Sequence, residues 1–300
     1  MLSRVAESLY WIGRYLERAE HSARVIRAMR GVRLELFEVN TRIAEAQWRG
    51  ALRALTFPEL SVARLVFDPG ESTSLLCSIS RARENARQVR DALSPEMWEQ
   101  INQTYWSLRE QASSDVNESV LSEALTRIVS AGFMWDGVTD ASMNRGEGWL
   151  FLKLGKFSER IEGLSRLVAT RLTAKERERS SENVEWLILL KSLDAVDAYK
   201  NAHPARVDRR AVLDFVLFEA AFPRALRYST AHLADLARRL RNLHPEAGRD
   251  IERSFGRVAA RVEYADIETV EAGDTARFLL EIVGEMNEAA FSIQRTFFLS

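Results

Sequence analysis

Val5, Leu9, Ile12, Leu16, Ala19, Ala23 and Ile26 follow one another at alternating spacings of four and three residues. At 3.6 residues per turn this places all seven on one stripe of a helix, which the chain must bury against other helices. Leu75, Ile79, Ala82, Ala86, Val89 and Leu93 repeat the alternation, and Trp98, Ile101, Tyr105 and Leu108 form a third stripe. The third stripe follows Ser94-Pro95-Glu96, a helix start with serine as N-cap and proline at the first helical position. The turn-rich stretch "FDPGEST" at 67–73 precedes the second stripe.

Further helices are expected over about 117–143 and 147–172. "VEWLILLKSLDAVDAYKNAH" should then stop near Pro204, "RRAVLDFVLFEAAF" near Pro223, and a long helix near Leu243, with two more closing the chain. Only 14 glycines and 6 prolines interrupt 300 residues, and no β-branched alternation bounded by turn dipeptides stands out. The expected fold is therefore all-α, a multi-helix bundle of roughly ten to twelve helices in which residues 1–300 fold as a single domain. "TAKERERSSEN" (173–183) reads as a solvated helix end and a serine cap, or as a hinge between halves 1–172 and 182–300.

A polar signature occurs twice. "GRYLERAE" begins at Gly13 and "GKFSERIE" at Gly155, 142 positions later. That shift pairs Gly13 with Gly155, Arg14 with Lys156, Tyr15 with Phe157, Glu17 with Glu159, Arg18 with Arg160, Glu20 with Glu162, and Arg24 with Arg166. The match implies a duplicated helical unit, or two helices occupying equivalent places in the bundle. In each copy one shoulder of the core stripe carries a glycine, two glutamates and an arginine: Gly13-Glu17-Glu20-Arg24 and Gly155-Glu159-Glu162-Arg166. Arg18 and Arg160 lie on the opposite shoulders. The small stripe residues Ala19, Ala23, Ser158 and Ser165 allow close helix approach, so these shoulders should be partly buried.

Candidate partners lie on a third helix, where "SISRARENARQVR" puts Arg83 and Arg87 on one shoulder, and at "MNRGEGWLFL", which adds Arg145 and Glu147. Two readings follow. The charges pair with one another and fix helix register, so that removing one partner costs about 3–5 kcal/mol. Alternatively some arginines hold an anionic ligand, a carboxylate or phosphate, by bidentate hydrogen bonds. A cavity lined by Arg83, Arg87 and Arg145 would favour the second reading.

Other chemistries find little support. None of the four histidines has a glutamate three residues before it, as a ferritin-like di-iron site requires. Neither a phosphate-binding glycine loop nor a nucleophile-elbow pentapeptide occurs. Asp136 and Asp140 are spaced to face one Mg²⁺-diphosphate, yet the second acidic cluster this would need is not convincing at Asp194/Asp197 or Asp266/Glu268. Capping, or pairing with Arg145, is the simpler role. With 42 basic and 43 acidic side chains, nonspecific nucleic-acid or anionic-membrane binding has no simple electrostatic basis. The single cysteine, Cys77, excludes an intrachain disulfide and reads as a small buried thiol. No apolar stretch has signal-peptide or membrane-span length, so a cytoplasmic location is expected. No metal or cofactor is implied.

The stretches "MLSRVAESLYWIGRYLERAE", "SISRARENARQVRDALS", "MNRGEGWLFLKLGKFSERIE" and "FPRAL" resemble the Alpha-E family. This is a bacterial group of all-helical proteins named for a Glu-Arg motif. The likeness runs from Met1 to at least Pro223-Arg224, with Glu17-Arg18 as the motif and Glu159-Arg160 as its second instance; Lys156 and Ser158 depart from Arg14 and Leu16 of the first copy. The resemblance implies an accessory role in ATP-grasp-dependent peptide synthesis or modification. Its implied partners are circularly permuted ATP-grasp proteins and transglutaminase-like peptidases. It implies no catalytic activity of the helical protein itself. The alternative is an enzyme whose arginine-lined anion site performs a transfer step on a carboxylate or phosphate substrate.

Overall fold

Thirteen helices occur among the residues that the computed structural model describes, which are 1–37, 52, 61–173, 182–203 and 207–299. They are α1 (Ser3–Phe37), α2 (Val62–Phe67), α3 (Leu75–Gln88), α4 (Pro95–Ala112), α5 (Glu118–Ser142), α6 (Glu147–Thr173) and α7 (Glu182–Ser192). There follow α8 (Val196–Ala202), α9 (Arg209–Phe218), α10 (Leu226–Leu243), α11 (Arg249–Glu263), α12 (Ile267–Ala272) and α13 (Thr275–Ile293). A π-turn over Gln294–Phe298 ends the described chain. No strand occurs among the described residues, so the all-α expectation holds. The hinge reading of 173–183 and the stop at Pro204 fall largely outside the described residues.

Local chemistry sets several helix ends. Ser74 accepts from the Cys77 backbone N–H, and Ser94 does the same from Met97 with Pro95 at the first helical position. Asn117 accepts from the N–H groups of Ser119 and Val120, satisfying donors that the first turn of α5 leaves over. α9 stops at Phe218, ahead of Pro223, because the Glu219 carboxylate accepts from Ala221 N–H at 2.9 Å and the chain leaves the helix there. The connection 219–225 that results reaches α1 and α6.

Two apolar clusters hold the helices together. The smaller gathers Ala19, Ala23 and Ile26 of α1 with α2, α3, the Leu108 end of α4 and the first half of α5. The larger gathers other residues of α1, the end of α3, the start of α4 and Trp135 of α5 with α6–α13. Leu16 packs against both, so α1 spans the two.

α6 is enclosed on nearly every side. From Trp149 to Ala169, only Phe157, Gly163 and Arg166 are not fully buried. α1, α10 and α13 surround it. A helix so enclosed that still carries Lys153, Lys156, Glu159, Arg160 and Glu162 must satisfy those charges internally. This requirement positions the site.

Candidate functional site

α1 and α6 run in the same direction and meet at their glycines. A Cβ added to Gly13 would overlap the carbonyl oxygen of Leu152, and one added to Gly155 would overlap that of Tyr10. Tyr10 and Leu152 are themselves related by the 142-residue shift, so the two overlaps are equivalent contacts, one on each side of the crossing. Glycine inside a helix costs about 1 kcal/mol relative to alanine. Here it brings two backbones close enough for the charged side chains one turn further on to reach across.

Those side chains interlock reciprocally. Arg18 donates to Glu159 in a fork, Nε to Oε1 at 2.6 Å and Nη2 to Oε2 at 2.9 Å. Arg160 donates to Glu17 in the same fork, at 2.7 and 2.8 Å. Each Glu-Arg dipeptide therefore grips the other. Arg14 adds a bond to Glu159 at 2.6 Å and lies 3.0 Å from Glu162, which also accepts from Arg166 at 2.9 Å. Glu17, Glu159 and Arg160 are buried, whereas the Arg18 side chain is 34% exposed.

Burial by itself would push the Glu17 and Glu159 carboxyls up. The surrounding cations outweigh it, Arg160 chiefly at Glu17, Arg14 and Arg18 at Glu159. Glu159 falls to about 2 and Glu17 well below the usual carboxylate range. Burial also opposes the charges on Arg18 and Arg160, yet their glutamates raise both above the ordinary value.

The reciprocity ends on the α5 side. Lys156, in the place of Arg14, pairs with Asp136 of α5. It is lowered to about 8, first by burial and then by the charge of Arg160. Glu20 pairs with Arg24 and also accepts from Arg224 at 3.2 Å. Gly132 of α5 packs on the Glu20 carboxylate, where a Cβ would leave no room. Arg160 also donates to the Pro223 carbonyl at 3.2 Å, so the 219–225 connection supplies both a carbonyl and Arg224.

A narrow cleft opens here, with a free interior of about 10 Å³, room for about one water molecule, lined chiefly by Glu17, His21, Arg24, Arg160, Ser192 and Arg224. The Nε2 atom of His21 is buried without a hydrogen-bond partner. Its ring is lowered to about 4 by burial, against the opposing pull of Glu17 and Glu159.

Arg83, Arg87 and Arg145 do not join this network. Arg83 donates to Asn102 at 2.8 Å and lies over the Tyr105 ring at 4.7 Å. Arg87 pairs with Glu84 on the surface at 3.0 Å. Arg145 pairs with Asp140 at 3.0 Å and lies over Trp149 at 4.7 Å. Glu147 accepts from the Met1 amino group at 3.0 Å and contacts the His244 ring at 2.7 Å. The expected partnership between the α3 arginines and the signature glutamates is thus replaced by pairing of the two signatures with each other, since α3 turns that shoulder towards α4 and solvent. Asp140 binds Arg145 and Lys153, and Asp136 binds Lys156, so both aspartates serve as ion-pair partners. Among the described residues, no group of three or more potential ligands could hold a metal ion. No described helix is long and apolar enough to cross a membrane. Cys77 is half-buried rather than fully enclosed.

A family profile described as a predicted alpha-helical domain with a conserved ER motif matches residues 1–298. The chain belongs to the Alpha-E family. It is 25% identical over 261 residues to an uncharacterized protein of Mycobacterium bovis and, equally, to one of Mycobacterium tuberculosis. The match takes in 78% of this Alpha-E chain but 29% of each relative, so the chain spans under a third of the length of the curated relatives it matches. No solved structure matches it.

Arg224, His21 and Lys156, and Asp194, whose Oδ2 lies 3.0 Å from Arg24 Nε, belong to this Alpha-E site although sequence reasoning did not assign them to it. Arg224 sits in "FPRAL", where a proline-arginine pair after a helix stop marked a connection worth weighing. Lys156 was visible as the counterpart of Arg14. His21 carried no signal beyond its place one turn after Glu17.

Proposed function

We propose that this Alpha-E chain is an accessory helical protein of an ATP-grasp-dependent system that makes or modifies peptides by amide ligation. Its partners would be a circularly permuted ATP-grasp protein and a transglutaminase-like peptidase, as the family resemblance implies. One observation carries the accessory reading: the forked Glu17–Arg160 and Glu159–Arg18 pairs consume each other's hydrogen-bonding capacity. Groups matched in this way hold helices in register and are not themselves free to act as acid, base or nucleophile. The relatives lend support, because in them the matching segment is one part of a much longer polypeptide. Affinity purification of the tagged chain from its native host tests the proposal. Co-elution of an ATP-grasp protein is the expected result, and repeated failure to recover one rejects it.

The cleft favours one second reading, an enzyme performing a transfer step on a carboxylate or phosphate substrate. Three guanidinium groups, from Arg24, Arg160 and Arg224, converge there. In that case the purified chain alone would turn over a carboxylate or phosphate substrate, with no ATP-grasp protein present.

A further inference from the structure

The charged groups around the cleft are held unequally. Arg160 is saturated by Glu17 and the Pro223 carbonyl. Arg24 and Arg224 share the single carboxylate of Glu20. Arg24 is almost completely buried, yet its Nε has no hydrogen-bond acceptor: Asp194 Oδ2 lies 3.0 Å away, out of line with the N–H. Asp194 also reaches Arg27 at 3.1 Å, and its side chain is one-third exposed. It has the only positive φ outside glycine among the described residues, 49°, in the turn between α7 and α8. Aspartate and asparagine tolerate that left-handed conformation better than most residues. The turn thus holds a loosely seated carboxylate over a buried guanidinium. Beside it stands Phe133 of α5, 54% exposed, with the Arg24 and Arg224 guanidinium carbons 5.0 and 5.8 Å from its ring centre. Met134, equally exposed, follows it.

We propose that this cleft binds the C-terminal carboxylate of a peptide, with Arg24 and Arg224 as its cationic arms, Phe133 beside the terminal apolar side chain, and Asp194 as a resident carboxylate that the ligand displaces. The peptide in this assignment rests on the accessory reading above; the carboxylate rests on the cleft. Four arginines, Arg24, Arg27, Arg160 and Arg224, face three carboxylates, Glu17, Glu20 and Asp194. Exchanging Asp194 for one monoanion leaves the charge of the cluster unchanged. A guanidinium fork also matches the two coplanar oxygens of a carboxylate. Arg24 and Arg224 are lowered to about 9 and about 10, first by burial and then by neighbouring arginines, so a carboxylate better aligned than Asp194 favours their charged forms. The displaced Asp194 side chain returns to water from a position already partly hydrated, at little cost.

Titration calorimetry with N-acetyl-Gly-Leu as the free acid, its C-terminal amide and inorganic phosphate tests the assignment on the full chain. The free acid should bind and the amide should not. Asp194→Asn keeps the left-handed turn while removing the competing charge, and should tighten the acid about tenfold; Arg224→Gln should weaken it at least tenfold. Equal binding of acid and amide, or no gain in Asp194→Asn, overturns the proposal. Phosphate binding more tightly than the acid replaces the carboxylate by a phosphoryl ligand and overturns it as well. Should Arg224→Gln fail to fold, as circular dichroism would reveal, wild type and Asp194→Asn decide the matter. Failure to recover an ATP-grasp partner rejects the accessory reading and leaves these binding results standing.

Discussion

The α1–α6 crossing and the α3 shoulder use the same residue types to opposite ends. At the crossing, Glu17, Glu159 and Arg160 are buried, Arg18 is partly so, and all four are bonded in matched forks. On α3, Arg87 faces water beside Glu84 and Arg83 leans on the aromatic rings of α4. Composition does not separate the two. The covering of the helix does, because desolvation makes every unmatched charge costly at the crossing and nearly irrelevant on the shoulder. Arginine-rich sequence is therefore weak evidence for a site until the packing around it is known.

The widest contrast comes from the glycines. Gly155→Ala puts a methyl group into the Tyr10 carbonyl, where only backbone could give way, so loss of cooperative folding or at least about 4 kcal/mol is expected in chemical denaturation. Gly256→Ala on α11, where nothing lies near the added carbon, should be neutral or stabilising. If both behave alike, the close approach of α1 and α6 is not what holds the crossing. Next, Glu159→Gln leaves Arg14 and Arg18 facing a neutral amide, and should cost about 3–5 kcal/mol. A loss below about 1 kcal/mol would place the crossing with surface pairs.

Acid sharpens the contrast further. His21 faces Glu17 and Glu159 on one side and Arg224 and Arg160 on the other, and its folded value of about 4 lies below its ordinary 6.5. The unfolded chain therefore takes up this proton first. The stability is whole above about 6.5 and should decline by about 2–3 kcal/mol as the pH falls to about 4. Glu159 and Glu17 have depressed folded values too, so their contribution fades below the ordinary carboxylate range, towards about 2 and lower. His21→Gln should flatten the decline between 6.5 and 4 in pH-dependent denaturation while leaving the steeper loss below 4; an unchanged slope rejects the assignment. The smallest effect belongs to Arg87→Ala, within about 0.5 kcal/mol, because its pair with Glu84 is exposed. A larger loss would show that the shoulder is a second structural charge site.

Much of this was legible in the residues. The alternation of fours and threes located α1, α3 and α4, and Ser94-Pro95 marked the start of α4 to the residue. The repeated Gly-Arg/Lys-x-x-Glu-Arg pattern singled out the helices that meet, and the small residues Ala19, Ala23, Ser158 and Ser165 proved wholly buried. The partners of the glutamates were not legible. Periodicity reports which face of a helix is buried but not which other helix covers it, so the arginines of α3 looked as suitable as those of the signatures. Arg224 and Asp194 were harder still, since they reach the cleft from connections between helices, where no period guides the eye.

The sequence by itself determined that this chain is helical, where most of its helices begin, and that two of them carry a matched set of glycine, glutamate and arginine. Only the tertiary structure decided that the two sets face each other in parallel, and that a connection 200 residues from α1 closes over them. The reason is physical. Helix formation depends on neighbours within about four positions, whereas the energy of a buried charge depends on whatever stands within a few ångströms, however far along the chain it comes from.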